Sequence, residues 1–150
     1  MELIDAVTDF SIEKDIVRPE YDVEFRISED REVFAWGRSL VPYQVYSALC
    51  CVAYTHKIPI NMEQLTEYSI NHSPYRGDIA IAYTVWNCSD TKGSGRSLIL
   101  ALQKHFSSHA KVNRLVTLSP LTEMAKRFHL SNGAKLLSTN PESYNFEYEI

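Results

Sequence analysis

Cysteine is scarce in this chain, with Cys50, Cys51 and Cys88 the only three, and no CxxC pair occurs. That excludes a thiolate zinc site and a disulfide framework. Cys50 and Cys51 are neighbours and point to opposite faces if they lie in a strand. No apolar run is long enough to span a bilayer. The start, MELIDAVTDFSIEKD, is acidic and lacks the apolar core of a secretory signal. There is no excess of basic charge: the net charge is −4 and the pI about 5.7. A nucleic-acid footprint built on general basicity is thereby excluded, although a local basic patch for a phosphorylated cofactor is not. Internal repeats and low-complexity segments are absent. A soluble protein of a reducing compartment, the cytoplasm, with no membrane partner is the expectation.

What is present suits one domain over residues 1–150, with 45% hydrophobic and 23% charged residues. Residues 1–20 read as a short helix or an extended arm. Tyr21–Ile27 alternates apolar and charged residues, which predicts a half-buried strand. VFAWG predicts another short strand, stopped at Gly37. Tyr43–Tyr54 is nearly continuously apolar, as in a strand buried on both faces. Asn61 stands as N-cap before a helix in MEQLTEYSI, with Met62, Leu65 and Tyr68 on one face.

The stretch from Trp86 to Phe106, WNCSDTKGSGRSLILALQKHF, carries the first chemical signal. A β-rich run, IAIAYTVW, precedes it, and Leu98, Leu102 and Phe106 recur behind it at helical spacing. Between them lie Lys92, Gly93, Ser94, Gly95, Arg96 and Ser97. Glycines let backbone approach an anion, and a helix N-terminus offers free N–H groups, so the loop has the build of a phosphate cradle. An ordinary glycine-bearing turn has the same pattern. Downstream, VNRLVTLS predicts a strand and Leu121–Leu130 a helix. Ser119 is placed as N-cap, Pro120 at the first helical position, and Leu121, Met124, Ala125 and Phe128 on one stripe. Asn132–Gly133 closes the helix, and AKLL and YNFEYEI predict two last strands. The order, strands first and then β-loop-α-β-α-β, is that of a mixed α/β sheet with a central crossover.

Residues 79–137 resemble the acyl-CoA-binding core of the GNAT superfamily. Lys92-Gly93-Ser94-Gly95-Arg96-Ser97 is a variant of its basic, glycine-rich loop, and Ala125–Ala134 resembles its closing helix. His129 stands where the acetyltransferases of this fold carry a tyrosine acid. A narrower resemblance is to the C-terminal catalytic domain of malonyl-CoA decarboxylases. It rests on TLSPL (Thr117–Leu121) and FHLSNGAKL (Phe128–Leu136), with weaker echoes at Glu29–Pro59, Ala80–Cys88 and Asn145–Ile150. The decarboxylases have an N-terminal helical domain without a counterpart in these residues. They also place a long segment where this chain has only Thr122 to Arg127.

The resemblance implies a GNAT-like, mostly antiparallel central sheet, with a parallel pair at the CoA site and flanking helices. It implies coenzyme A, as acyl-CoA, with its pyrophosphate on Gly93, Ser94, Gly95, Arg96 and Ser97. Lys92 or Arg96 would add charge, and Val85 and Trp86 would face the pantetheine. It also maps a Ser/His dyad onto Ser119 and His129, with His129 as proton donor at a near-neutral pKa. Ser119 equally reads as a helix cap, His129 as a satisfied end-of-helix histidine, and Trp86 as a core aromatic. An unbroken helix from Pro120 would separate Ser119 and His129 by ~14 Å of rise, too far for a hydrogen bond. No metal is expected: His56, His72, His105 and His109 lack ligand spacing, although His105 and His109 are i, i+4. Three functions compete: decarboxylation of a malonyl-type thioester, transfer of a short acyl group to an amine, and non-catalytic acyl-CoA binding. In the third, the C-terminal strand, Tyr144 to Ile150, would pair across a sheet edge into a homodimer.

Overall fold

A computed structural model describes residues 1–40, 42–70, 75–109 and 111–150; His72 and Pro74 lie outside the described residues. In chain order the elements are β1 (Glu2–Ile4), α1 (Val23–Ile27), β2 (Arg31–Leu40), β3 (Tyr43–Thr55), α2 (Met62–Tyr68) and β4 (Ile79–Asn87). Then come α3 (Ser94–Ser107), β5 (Arg114–Thr117), β6 (Ser119–Pro120), α4 (Glu123–Ser131), β7 (Lys135–Thr139) and β8 (Ser143–Tyr148).

The strands form one mixed sheet in the order β1-β2-β3-β4-β5-β8, with β6 and β7 also paired to β8. Among the described residues β4–β5 is the parallel pair, and the other pairings are antiparallel. The apolar run of β3 explains its central place. Cys50, Val52 and Tyr54 face one core layer, and Leu49, Cys51 and Ala53 face the other. On the first face lies α3, whose Leu98, Ile99, Leu102 and Phe106 are all buried. The second face is covered by residues after β1, by α1, and by Leu65 of α2. Asn61 does cap α2, its side chain accepting from the Gln64 N–H at 2.8 Å.

Five expectations are corrected. Residues 21–27 form a helical turn rather than a strand. Asp22 accepts from the Phe25 N–H at 2.8 Å, and Arg26, which strict alternation puts outside, is fully buried against Asp15. The second strand does not stop at Gly37 but runs on to Leu40, with Ser47 of β3 as the extra residue opposite Trp36 and Gly37. A β-carbon at Gly37 would lie 2.1 Å from the Val45 carbonyl oxygen, so only glycine fits. Ser119 is not a helix N-cap. Residues 119 and 120 pair with β8, and α4 starts at Glu123, with Thr122 accepting from the Ala125 N–H at 3.1 Å. Leu121 therefore drops out of the helical stripe. Finally, among the described residues the C-terminal strand does not lie at a sheet edge. Its 115–148 and 119–144 partners share one register along one side, and β7 occupies the other.

Candidate functional site

The site begins with an irregularity in β4. Cys51 pairs with Thr84, but Val52 pairs with Ala82, so Tyr83 is one residue too many on β4. A bulge of this kind bends the strand and increases its twist. On its other edge β4 pairs with β5 only as far as Ala82, whose carbonyl accepts from the Leu118 N–H at 2.9 Å. Beyond that point the parallel strands part. Arg18 sits at the parting, donating from Nε to the Tyr83 carbonyl at 3.3 Å and from Nη2 to the Leu118 carbonyl at 3.2 Å. The edge of Thr84, Val85 and Trp86 is left without a strand partner on this side.

A cavity of about 380 Å³ opens between the parted strands. Val85, Trp86, Gly95, Ser119 and His129 all line it, together with Phe128, whereas Lys92, Gly93, Ser94, Arg96 and Ser97 do not. Met124, Ala125 and Phe128 of the apolar stripe of α4 wall the cavity, and Phe128 packs against the core as well. The fourth wall is Lys14, Ile16 and Val17, from a segment with no periodic pattern to mark it. That segment is stapled by Asp15, whose Oδ1 accepts from Thr84 Oγ1 at 2.9 Å and whose Oδ2 meets Arg26 Nη1 at 2.6 Å.

The glycine loop stands at the cavity's edge. Gly93 has φ +85°, a left-handed conformation that glycine adopts without strain, and no side chain caps the helix behind it. The first intrahelical bond runs from the Ser97 N–H to the Gly93 carbonyl. The N–H groups of Ser94, Gly95 and Arg96 precede it and have no partner in the helix, as helix geometry requires. With the dipole they make an anion-attracting end. A β-carbon on Gly95 would stand 3.4 Å from Asn87 Oδ1 and 3.6 Å from the Phe128 ring, narrowing the way in. Lys92 is exposed beside the loop. Arg96 reaches sideways, donating to the Ser131 carbonyl at 3.2 Å and to Asn132 Oδ1 at 3.3 Å. Its cation thus closes the carbonyl end of α4.

His129 and Ser119 share the cavity, each with its own partner. His129 is 6% exposed, stacked on Phe146 at 5.2 Å and edge-on to Phe128 at 5.0 Å. Its Nδ1 is 2.7 Å from the Tyr148 hydroxyl. Burial pushes its pKa down to about 4, so the near-neutral value expected from sequence is corrected: at pH 7 the ring is uncharged. Ser119 Oγ lies 2.8 Å from Thr117 Oγ1. The ~14 Å helical separation does not apply, because α4 starts after Ser119. Sequence reasoning missed Tyr148, Arg18 and Lys14; the last two sit in aperiodic chain, and Tyr148 stood out only as part of the last strand.

A measurable consequence follows from the buried imidazole. Its folded pKa lies below the unfolded value of about 6.5, so as pH falls the unfolded chain takes up the proton first. The stability from keeping the ring neutral is complete above pH 6.5 and is lost between pH 6.5 and 4, by about 3 kcal/mol. Urea denaturation at pH 7 and pH 4.5 is expected to show that loss, and His129→Gln is expected to remove most of it. An equal loss in the variant would assign the acid sensitivity to other groups.

Among the described residues no three His, Cys, Asp or Glu side chains gather to hold a metal, and His105 and His109 lie 5.8 Å apart by ring centroids. Among the described residues no helix is long and apolar enough to cross a membrane.

No family model matches the sequence, and no curated protein matches it. Solved structures do match the fold. A malonyl-CoA decarboxylase from Agrobacterium vitis superposes with a TM-score of 0.67 at 17% identity, over 93% of this chain and 56% of that one. The GNAT domain of S. lividans PAT gives 0.58 at 11% identity, over 85% and 67%. AtaTR bound with AcCoA gives 0.59 at 14%, over 97% and 91%. The chain has the GNAT-type fold: a mostly antiparallel sheet with one parallel pair parted at its end. It spans little more than half the length of the decarboxylase it resembles.

Proposed function

We propose that this chain binds an acyl-CoA and decarboxylates a malonyl-type thioester. The observation that carries the reading is the lining of the cavity: among the described residues it holds Ser119 and His129 and no carboxylate. An incoming amine would need a base to strip its proton, and neither a carboxylate nor a strongly basic imidazole lines this space. A substrate that already carries the carboxylate, by contrast, meets no like charge there.

The CoA pyrophosphate lies on the N–H groups of Ser94, Gly95 and Arg96, with Lys92 nearby. The pantetheine amides complete the open edge of β4 at Val85 and Trp86, as an added strand would. The thioester then reaches the cavity between β4 and α4. The bond between the α-carbon and the carboxylate breaks, CO2 leaves, and the electron pair stays as a thioester enolate. Ser119 and the ring N–H of His129 donate hydrogen bonds to the enolate oxygen in a water-poor space, where such bonds count most. His129 then delivers its proton to the α-carbon and regains one from solvent. Nδ1 is engaged by Tyr148, so Nε2 is the nitrogen for the substrate. A neutral imidazole suffices, because a thioester enolate is a strong base. An uncharged ring also suits an apolar wall better than an imidazolium.

Incubating the purified chain with malonyl-CoA and following products by mass tests this; acetyl-CoA and CO2 in equal amounts are the expected result. A second reading, acyl transfer to an amine, is favoured by the near-complete mutual coverage with AtaTR, whose structure holds AcCoA. It predicts free CoA released from acetyl-CoA with an amine present, and no CO2. Binding of CoA without turnover of either kind would leave the non-catalytic module.

A further inference from the structure

Ser119 does not stand alone at the cavity wall. Its Oγ lies 2.8 Å from the Oγ1 of Thr117, two residues earlier in the chain. Thr117 is fully buried, and its Oγ1 also accepts from the Phe146 N–H at 3.1 Å. A hydroxyl has one proton and two lone pairs. Phe146 takes one lone pair of Thr117, and the Thr117 proton needs an acceptor. Among the described residues the acceptor it has is Ser119 Oγ. Were Ser119 the donor instead, the Thr117 proton would be left buried and unpaired, which is costly. The bonds therefore run from Phe146 N–H to Thr117, and from Thr117 O–H to Ser119. That leaves the proton of Ser119 unspent, on a side chain that lines the cavity. The backbone of Thr117 is fixed as well. Its carbonyl accepts from Asn145 Nδ2 at 2.9 Å, and the same amide nitrogen donates to the Pro59 carbonyl at 3.1 Å. Asn145 Oδ1 in turn accepts from Ser138 Oγ and Asn140 Nδ2, both at 2.8 Å.

We infer that Thr117 is a positioning residue: it makes Ser119 Oγ its acceptor and so turns the serine proton into the cavity. This rests on the decarboxylase reading and goes further, since it traces the donor role of Ser119 to a residue outside the cavity lining. Without that partner the Ser119 hydroxyl is free to rotate, and its proton is no longer held ready for the enolate oxygen. A donor fixed in advance acts on charge that develops only as CO2 leaves. The effect therefore belongs to kcat and not to KM.

The test is a double-mutant cycle on malonyl-CoA turnover by the full chain, with kcat and KM read separately. Thr117→Val keeps the shape of the side chain and loses the hydroxyl. It is expected to lower kcat about tenfold, the scale of one net hydrogen bond, with KM unchanged. Thr117→Ser, which restores the O–H, is expected to recover most of that loss. In a Ser119→Ala background, Thr117→Val is expected to lower kcat no further, because its effect passes through the serine. A merely loosened fold would lower kcat in both backgrounds, so an equal loss with and without Ser119 overturns the assignment. Full kcat in Thr117→Val overturns it too, as does a Thr117→Ser variant that is equally slow. If Thr117→Val does not fold, Thr117→Cys enters the same cycle, since a thiol is only a weak donor and acceptor. A loss confined to the chain with Ser119 is again expected, and a loss in both backgrounds again overturns the assignment. Failure of the original chain to release CO2 from malonyl-CoA is a different result. It removes the decarboxylase reading, and the role of Thr117 with it.

Discussion

Turnover of malonyl-CoA is expected to fall by about 10²- to 10⁴-fold when His129 is replaced by glutamine, the range that loss of a positioned proton donor produces. Glutamine is close in size and keeps a hydrogen-bonding group near Tyr148, so the wall formed with Phe146 and Phe128 is largely preserved. The loss should appear in kcat, because the ring's contact with the enolate arises only as CO2 leaves. The ring stays uncharged down to about pH 4, so no step in the wild-type profile is expected from His129 near pH 6.5. Stopped assays for acetyl-CoA across pH 4 to 8 read both effects. Full activity in His129→Gln would show that another group supplies the proton.

The largest effect on stability is expected from Asp15→Ala. The Asp15–Arg26 pair has an N–O distance of 2.6 Å, and both side chains are wholly buried. Removing the carboxylate leaves the Arg26 guanidinium buried, with the Tyr21 and Arg18 carbonyls but no counter-charge. Such a loss typically costs about 3–5 kcal/mol, and chemical denaturation would measure it. Asp15 Oδ1 also accepts from the N–H groups of Val17 and Arg18 and from Thr84. The segment carrying Lys14, Ile16 and Val17 should therefore loosen from the cavity, and activity should fall with stability. Adding Arg26→Met to Asp15→Ala should cost less than the two changes summed, since the stranded charge is gone. A loss below about 1 kcal/mol for Asp15→Ala would mean that the segment is held by apolar contacts instead.

The legible parts of this molecule were those with a local cause. Gly93, Gly95 and the apolar spacing behind them announce a loop and helix, because left-handed backbone and i, i+4 burial leave marks within a few residues. Asn61 capped as expected because its partner is only three residues away. Tyr21–Ile27 misled, since its alternation is also compatible with a single helical turn once Asp22 caps it and Arg26 finds Asp15. Ser119 misled in the same way: Ser-Pro is a good helix start, but pairing with Tyr144 and Ser143 outweighed it.

The amino-acid sequence by itself determined most of the order of elements after residue 30, the glycine loop that opens α3 and the placing of a histidine on α4. Each depends on residues close together in the chain. Only the tertiary structure decided what surrounds them. The extra residue at Tyr83 is visible only against its β3 partner, and the parting of β4 from β5 follows from where Arg18 bonds. The acidity of His129 is set by Phe146, Tyr148 and Phe128 closing over it. Burial and strand register are sums over distant contacts, and no local pattern encodes them.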